Sequence, residues 1–387
     1  MTATHILTVN AQTFNVHLNY MFAGTGKDNA EHQGGALADI LAIRPKDNVV
    51  FYVIGYGFYG LFKVKHKNNP LVFYEHPSGQ YLDSELGGKT LTYRFFIEPN
   101  PCGVYENGVN EWDAIENPER ILDKKIYNMQ WSWIFKKLKA KRGCVSIPEE
   151  EYQLLKQIIT VNNEMLPVSN QYQFANGIIS PCQKSHQYRG DTNQPPQLHN
   201  TPNTIKTEED LRIFFCNNAG RDRILDEILR PNVYGVIKFI ANEATCSFGE
   251  KRIDLLFTTK ENRCLLLELK NNFEFKKKNL LAQLSGYARW VSSYKKHLPE
   301  IIPLLILREP KLYPNRRGCK KFQYLSRQDF EQKTISPWFE KKRKDLVGLK
   351  HDLNELRISK LAHLQVAFFQ TDDNNKLSDF RFLDLSE

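Results

Sequence analysis

Two apolar runs separated by a polar turn stand at Arg252 to Asn272, RIDLLFTTKENRCLLLELKNN, a pattern that predicts a β-hairpin. Upstream, Asp47 to Val64 (DNVVFYVIGYGFYGLFKV) reads as two strands joined at GYG. Leu71 to Tyr74 and Leu91 to Glu98 read as further strands. Pro148 followed by EEEYQLLKQII predicts a helix with an acidic first turn and an apolar stripe. The second half opens with TEEDLRIFFCNN, a helix for which Thr207 is the N-cap, and continues with a helical RDRILDEILR. VYGVIKFIANEAT leads into the Arg252–Asn272 hairpin. LLAQLSGYARWVSSYKK then predicts a helix, IIPLLIL a strand, and HLQVAFFQTDDNNKLSDFRFLDL a second hairpin turning at DDNN.

Charges inside the apolar runs carry the chemistry. Burying an unpaired charge costs several kcal/mol or more, so Asp254, Glu268 and Lys270 either face water or hold something charged. With the turn at Thr259 to Arg263, Phe257 pairs with Leu265 and Asp254 falls opposite Glu268. Such partners sit roughly 4.5–5.5 Å apart at Cβ. Lys270 follows Glu268 by two residues and projects to the same face. Two acids that close repel each other unless a cation lies between them. Mg²⁺ suits the place, because it takes oxygen ligands from one or two carboxylates and from substrate phosphates. The plain alternative is that Asp254 and Lys270 are solvated strand ends.

Composition divides the chain in three. Residues 1–160 are rich in aromatic and β-branched residues. Residues 161–206 are dense in Asn, Gln, Pro and Ser, and read as a flexible linker. Residues 207–387 form the second domain. The length of 387 residues agrees with two domains. Lys plus Arg number 53 against 44 Asp plus Glu, a net charge of +9 that favours a polyanionic partner. Seven cysteines with no CxxC pair fit neither a disulfide framework nor a zinc knuckle. MTATHILTVNAQTF has no secretory pattern and IIPLLIL is too short to span a bilayer, so a soluble, cytoplasmic protein without membrane association is expected. AGTGKDN lacks the residues of a phosphate loop and reads as a turn; no HxxxH or GxSxG occurs.

GEKRIDLL followed by LLLELK resembles the core of the PD-(D/E)xK nuclease superfamily, and the order TEEDL, RIDLL, LLLELK, QLSGY is similar to the carboxy-terminal domain of NucS-type endonucleases. The resemblance covers roughly residues 205–295. It implies a restriction-endonuclease-like mixed-sheet domain in which Glu208, Asp254, Glu268, Lys270, Gln283 and Tyr287 converge. Mg²⁺ or Mn²⁺ would be bound by Asp254, Glu268 and the Leu269 carbonyl, with Lys270 serving the attacking water. Gln283 and Tyr287, four apart, share a helix face on any reading. Glu209 and Glu227 rival Glu208 as the leading acid. Lys311 to Lys360 reads as an added basic insertion. With Arg252, its Lys341, Lys342 and Arg343 are candidates for phosphate contact, or else form a solvated face.

The first domain is similar, more weakly, to the EVE and PUA-like β-barrels, through DNVVFYVIGYGFYGLFKV, LTYRFFIEP and Trp131-Ser132-Trp133. That group holds a modified or flipped base between aromatic walls. Tyr52, Tyr56, Trp131 and Trp133 are the pocket candidates, against the alternative that they fill the barrel core. Together the resemblances imply an α+β or α/β chain: a PUA-like barrel linked to a nuclease domain. It would cut double-stranded DNA in restriction or phage defence, or else in NucS-like mismatch repair, or would bind DNA without cutting. Cutting both strands implies a homodimer or higher homo-oligomer.

Overall fold

A computed structural model of the chain describes residues 3–26, 33–65, 74–75, 82–88, 91, 93–116, 143–163, 171–184, 186–188, 204–219, 229, 234–246, 252–271, 275–294, 298–309, 336–372 and 374–385. The fold is mixed α+β, built on two large sheets.

The first sheet comprises β1 (Thr4–Val9), β2 (Phe22–Thr25), β3 (Asn48–Val53), β4 (Gly57–Val64), β5 (Tyr74–Glu75), β6 (Tyr93–Pro99) and β7 (Cys144–Ile147). Its strand order is β2-β6-β4-β3-β1-β7, with β5 beside β6; among the described residues it is an open path rather than a closed barrel. The GYG hairpin forms as the pattern predicts. Gly57 adopts φ +126 there, and a Cβ on it would lie 2.3 Å from the Val109 carbonyl oxygen, so only glycine fits. Ala23–Thr25, read as turn, instead pairs with β6.

Among the described residues three α-helices pack on this sheet. α1 (Ala11–Tyr20) starts at a capping box between Asn10 and Thr13, and α2 (Gln33–Leu41) follows. α3 (Glu149–Val161) starts behind Pro148, as its acidic first turn predicts. Alternation sorts β3 cleanly: Val50 and Tyr52 pack with Leu155 and Ile158 of α3, while Phe51 and Val53 pack with Phe14 and Leu18 of α1.

A hairpin follows, β8 (Tyr172–Ala175) with β9 (Ile178–Pro181). It lies inside the stretch read as linker and corrects that reading for these residues. Phe174 packs edge-on to Phe14 at 5.0 Å, and its N–H donates to Asn15 Oδ1 at 2.9 Å. Tyr172, Phe174 and Ile179 are buried, which offsets the ordering cost that the surrounding polar composition implied.

The second sheet has order β10-β11-β12-β13-β14-β15: β10 (Ile237–Thr245), β11 (Arg252–Thr259), β12 (Cys264–Lys270), β13 (Ile301–Arg308), β14 (Gln365–Thr371) and β15 (Leu377–Phe382). β12, β13 and β14 are mutually parallel, and the outer pairings are antiparallel. α4 (Glu208–Asn218) lies on one face, α5 (Lys277–Tyr294) and α6 (Ser336–Glu355) on the other. The stretch expected to be a basic insertion is corrected here as far as α6: Leu346, Leu349 and Leu353 are fully buried against Leu280, Leu284 and the β13–β14 strands. Their spacing gives one apolar stripe inside a highly charged segment.

The two sheets share a core. Residues of β1 and β3 belong to the same buried cluster as Leu211, Phe214 and Phe215 of α4 and Leu255, Leu265 and Leu267 of the second sheet. Arg44 donates to the Cys216 and Ala219 carbonyls at 2.9 Å, closing the last turn of α4. The buried Asn242 amide reaches Asp39 Oδ1 and the Gly35 carbonyl of α2, both at 3.2 Å. Among the described residues no helix is long and apolar enough to cross a membrane.

Candidate active site

The hairpin register sets the site. Leu255 pairs with Leu267, Leu256 with Leu266, and Phe257 with Leu265, the pairing expected from sequence. One step further in that register stand Asp254 and Glu268. The backbone ladder stops there, and a side chain takes over: Asp254 Oδ2 accepts the Leu269 N–H at 2.8 Å. Lys270 turns back toward Glu268, placing Nζ 2.7 Å from its Oε1 and 2.9 Å from the Leu269 carbonyl oxygen.

Two helices complete the cluster. At the start of α4, Thr207 and Asp210 form a capping box, with Asp210 Oδ2 taken by the Thr207 N–H at 2.9 Å. Glu208 is then free to reach inward, and its Oε1 lies 3.8 Å from Lys270 Nζ. Glu209 packs against α2, where a Cβ on Gly34 would lie 2.1 Å from its carboxyl carbon, so Glu208 and not Glu209 joins the strand acids. Glu227 lies outside the described residues. On α5, Gln283 stands beside both Glu268 and Tyr287, and Tyr287 donates to the Arg252 carbonyl at 2.6 Å.

Electrostatics follow from this crowding. Burial first, then the Glu268 charge, pushes the Asp254 carboxyl up to about 8. Glu268, 1% exposed, is raised by burial even with Lys270 opposing the shift. Burial alone would depress Lys270, but Glu268 and Asp254 outweigh it and hold the ammonium charged. Burial raises the Tyr287 phenol, leaving it a hydroxyl donor. Acids outweigh bases around Asp254, which is the condition a divalent cation relieves. Among the described residues no three His, Cys, Asp or Glu make a ready-made metal cage. Lys270 Nζ bridges a Glu268 oxygen and the Leu269 carbonyl, oxygens of the kind a hard cation takes.

A groove of about 370 Å³ opens beside the acids, lined by Lys270, Phe275, Lys276, Asn279, Leu280 and Gln283. Of the predicted phosphate contacts, Lys342 reaches its rim, with Nζ 4.7 Å from the Phe275 ring centre and 3.2 Å from the Phe275 carbonyl. Lys341 is exposed and Arg343 half-buried on the same turn of α6. The half-exposed Arg252 guanidinium lies at the other end of the cluster, 3.5 Å from Glu243.

The aromatic pocket expected in the first domain does not assemble from Tyr52 and Tyr56. Tyr52 is buried in the α3-side core, 5.2 Å from the Phe58 ring. Tyr56 sits in the hairpin turn against Phe174, which belongs to the other face. β3 ends at Val53, and the turn that carries Tyr56 breaks the alternation, so its ring leaves the face that holds Tyr52. Trp131 and Trp133 lie outside the described residues.

Sequence reasoning missed Arg212 and Glu243. Arg212 NH1 lies 2.7 Å from Glu243 Oε1 and is within electrostatic reach of Asp254. Its place four residues after Glu208 on α4 was the available signal.

No family model and no curated protein matches this sequence. Among solved structures, Pyrococcus furiosus SfsA in complex with Ca²⁺ aligns with 41% of this chain and 58% of its own, at 13% identity and a TM-score of 0.23.

Proposed function

We propose that this chain is a metal-dependent nuclease that hydrolyses phosphodiester bonds in double-stranded DNA. One observation carries the reading: Asp254, Glu268 and Lys270 meet at the end of the β11–β12 ladder, with Glu208 and Gln283 beside them.

Asp254, Glu268 and the Leu269 carbonyl would hold Mg²⁺ or Mn²⁺, which when bound supplies Lewis-acid activation and neutralises charge on the phosphate. Asp254 is anchored through Oδ2, so its other oxygen is the one available to a ligand. Lys270 is held protonated, which suits it to stabilise charge developing on the phosphoryl oxygens and to orient a water, rather than to act as the primary base. Gln283 and the Tyr287 hydroxyl fix the Glu268 side of the site and the β11 backbone. The basic rim of the groove, Lys276 with Lys342, offers a path for the DNA backbone, in keeping with the net charge of +9. Two strands call for two such sites, so a homodimer is part of the proposal.

Cleavage of supercoiled plasmid and of short duplexes, unmodified, mismatched and cytosine-modified, tests it. Nicking or linearisation in Mg²⁺ or Mn²⁺, abolished by EDTA, is the supporting result. Asp254→Asn should cut at least about 100-fold more slowly, the usual scale for losing a group that acts on the transition state. An Asp254→Asn protein cutting at the wild-type rate would overturn the proposal.

A further inference from the structure

β10 and β11 change face beside the site. Asn242 pairs with Leu255, and both belong to or abut the core under α4; Ala244 pairs with Ile253, and both belong to the core under α5. Glu243 and Asp254 stand between those two pairs. Glu243 accomplishes the change with a left-handed backbone, φ +47, an unusual conformation for a non-glycine residue within a strand. Outliers of this kind persist where the surroundings enforce them and gather at functional sites.

The result is a row of carboxylates across three adjacent strands: Glu243, Asp254 and Glu268. α4 runs along that row. Glu208, at its start, approaches Lys270, and Arg212, one turn later, lies 2.7 Å from Glu243. The same Glu243 oxygen also serves Arg252 at 3.5 Å, so a single carboxylate oxygen is shared by two guanidiniums. Arg212 and Glu243 each retain some exposure, 15% and 16% of their side chains. The pair is therefore largely buried but not sealed from solvent. A planar guanidinium with several donors recognises phosphate by two parallel hydrogen bonds, a geometry that one shared carboxylate oxygen leaves largely unused.

We propose that Arg212 is a phosphate-binding residue of this site, with Glu243 holding it in place until a nucleic-acid phosphate displaces the carboxylate. The inference rests on the nuclease reading and deepens it, assigning the neighbouring phosphate to the α4 side of Asp254. Arg252, on the same carboxylate, would follow to the same phosphate or the next. A plain ion pair joining α4 to β10 is the opposing account, and the two predict different DNA binding.

The test is the dissociation constant of a fluorescent duplex for metal-free protein, measured by anisotropy across a range of salt. Arg212→Ala should bind roughly tenfold more weakly, with a log-log salt slope shallower by about 0.9, the value for one lost phosphate contact. Arg212→Lys should recover part of the affinity. Glu243→Gln should bind several-fold more tightly, and most of that gain should vanish in the Arg212→Ala/Glu243→Gln double variant. If the gain persists unchanged in the double variant, Glu243 acts only as a repulsive charge and the inference fails. Unchanged affinity and slope in Arg212→Ala, with only a lowered melting temperature, also overturns it. Should Arg212→Ala not fold, Arg212→Lys and Glu243→Gln decide by the same slope and affinity. Wild-type protein that neither binds nor cuts DNA would instead bring down the nuclease reading itself.

Discussion

Lys270 Nζ lies 2.7 Å from Glu268 Oε1, two residues back along the same strand and so on the same face. The contact joins a nearly inaccessible carboxylate to a cation that still touches solvent. In the absence of metal, the ammonium is the principal group offsetting Glu268 and Asp254.

Removing that ammonium should therefore cost stability before it costs chemistry. Lys270→Met is expected to lower metal-free unfolding free energy by about 3 kcal/mol, the scale for stranding one member of a buried pair. Urea titration checks this. Saturating Mg²⁺ should restore much of the loss, because a metal would take over the same oxygens.

The raised Asp254 carboxyl gives a pH dependence of definite sign. Its ordinary value of 3.8 applies to the unfolded chain, and about 8 to the folded one. Between those values the folded protein binds more protons than the unfolded, so the stabilising contribution is complete below pH 4 and is lost as pH rises toward 8. Metal-free wild type should lose stability relative to Asp254→Asn as pH rises through that window. Melting curves of both proteins from pH 5 to 9, in EDTA, measure the difference. Divalent binding should strengthen over the same range, since the metal competes with that proton.

Leu349→Ala probes whether α6 is structural. Its side chain is fully buried between α5 and the β13–β14 strands, so a loss of roughly 2–5 kcal/mol is expected. Lys341→Ala, on the exposed side of the same helix, should stay within about 0.5 kcal/mol of wild type. Equal, small effects from both would show that the helix does not hold the second sheet.

Gly57→Ala places a methyl group against the Val109 carbonyl at a φ that only glycine adopts comfortably. A loss of at least 1–3 kcal/mol, about the cost of one strained backbone position, should appear in denaturant melts. Metal binding measured by calorimetry on the folded fraction should be unaffected, because the turn belongs to the first sheet.

Much of the second sheet was legible because its signals are local. The capping box at Thr207, the polar turn after Thr259 and the alternation through Leu265 and Leu267 each act within a few residues, and together they fix which acids meet. What stayed hidden depends on contacts distant in sequence. Nothing near Glu243 announces a left-handed residue in mid-strand. Leu346, Leu349 and Leu353 are masked by the surrounding lysines until α5 is placed beside them. Tyr172 and Phe174 sit in polar surroundings, yet α1 supplies the apolar partner that their own segment lacks. Tyr52 and Tyr56, four apart, would share a face if the strand ran through both, and only the turn after Val53 sends the Tyr56 ring to Phe174 instead.

The turn joining β11 to β12 works as a ruler. Thr259 N–H donates to the Arg263 carbonyl at 3.0 Å, and Asn262 takes a left-handed φ of +60 to bring the chain round in a fixed number of residues. Because side chains alternate, one extra residue there would rotate every later position of β12 to the opposite surface, carrying Glu268 and Lys270 away from Asp254 while the hairpin could still form. Loop length several residues away from the acids is thus as strict a condition for bringing Asp254, Glu268 and Lys270 together as the identities of those residues.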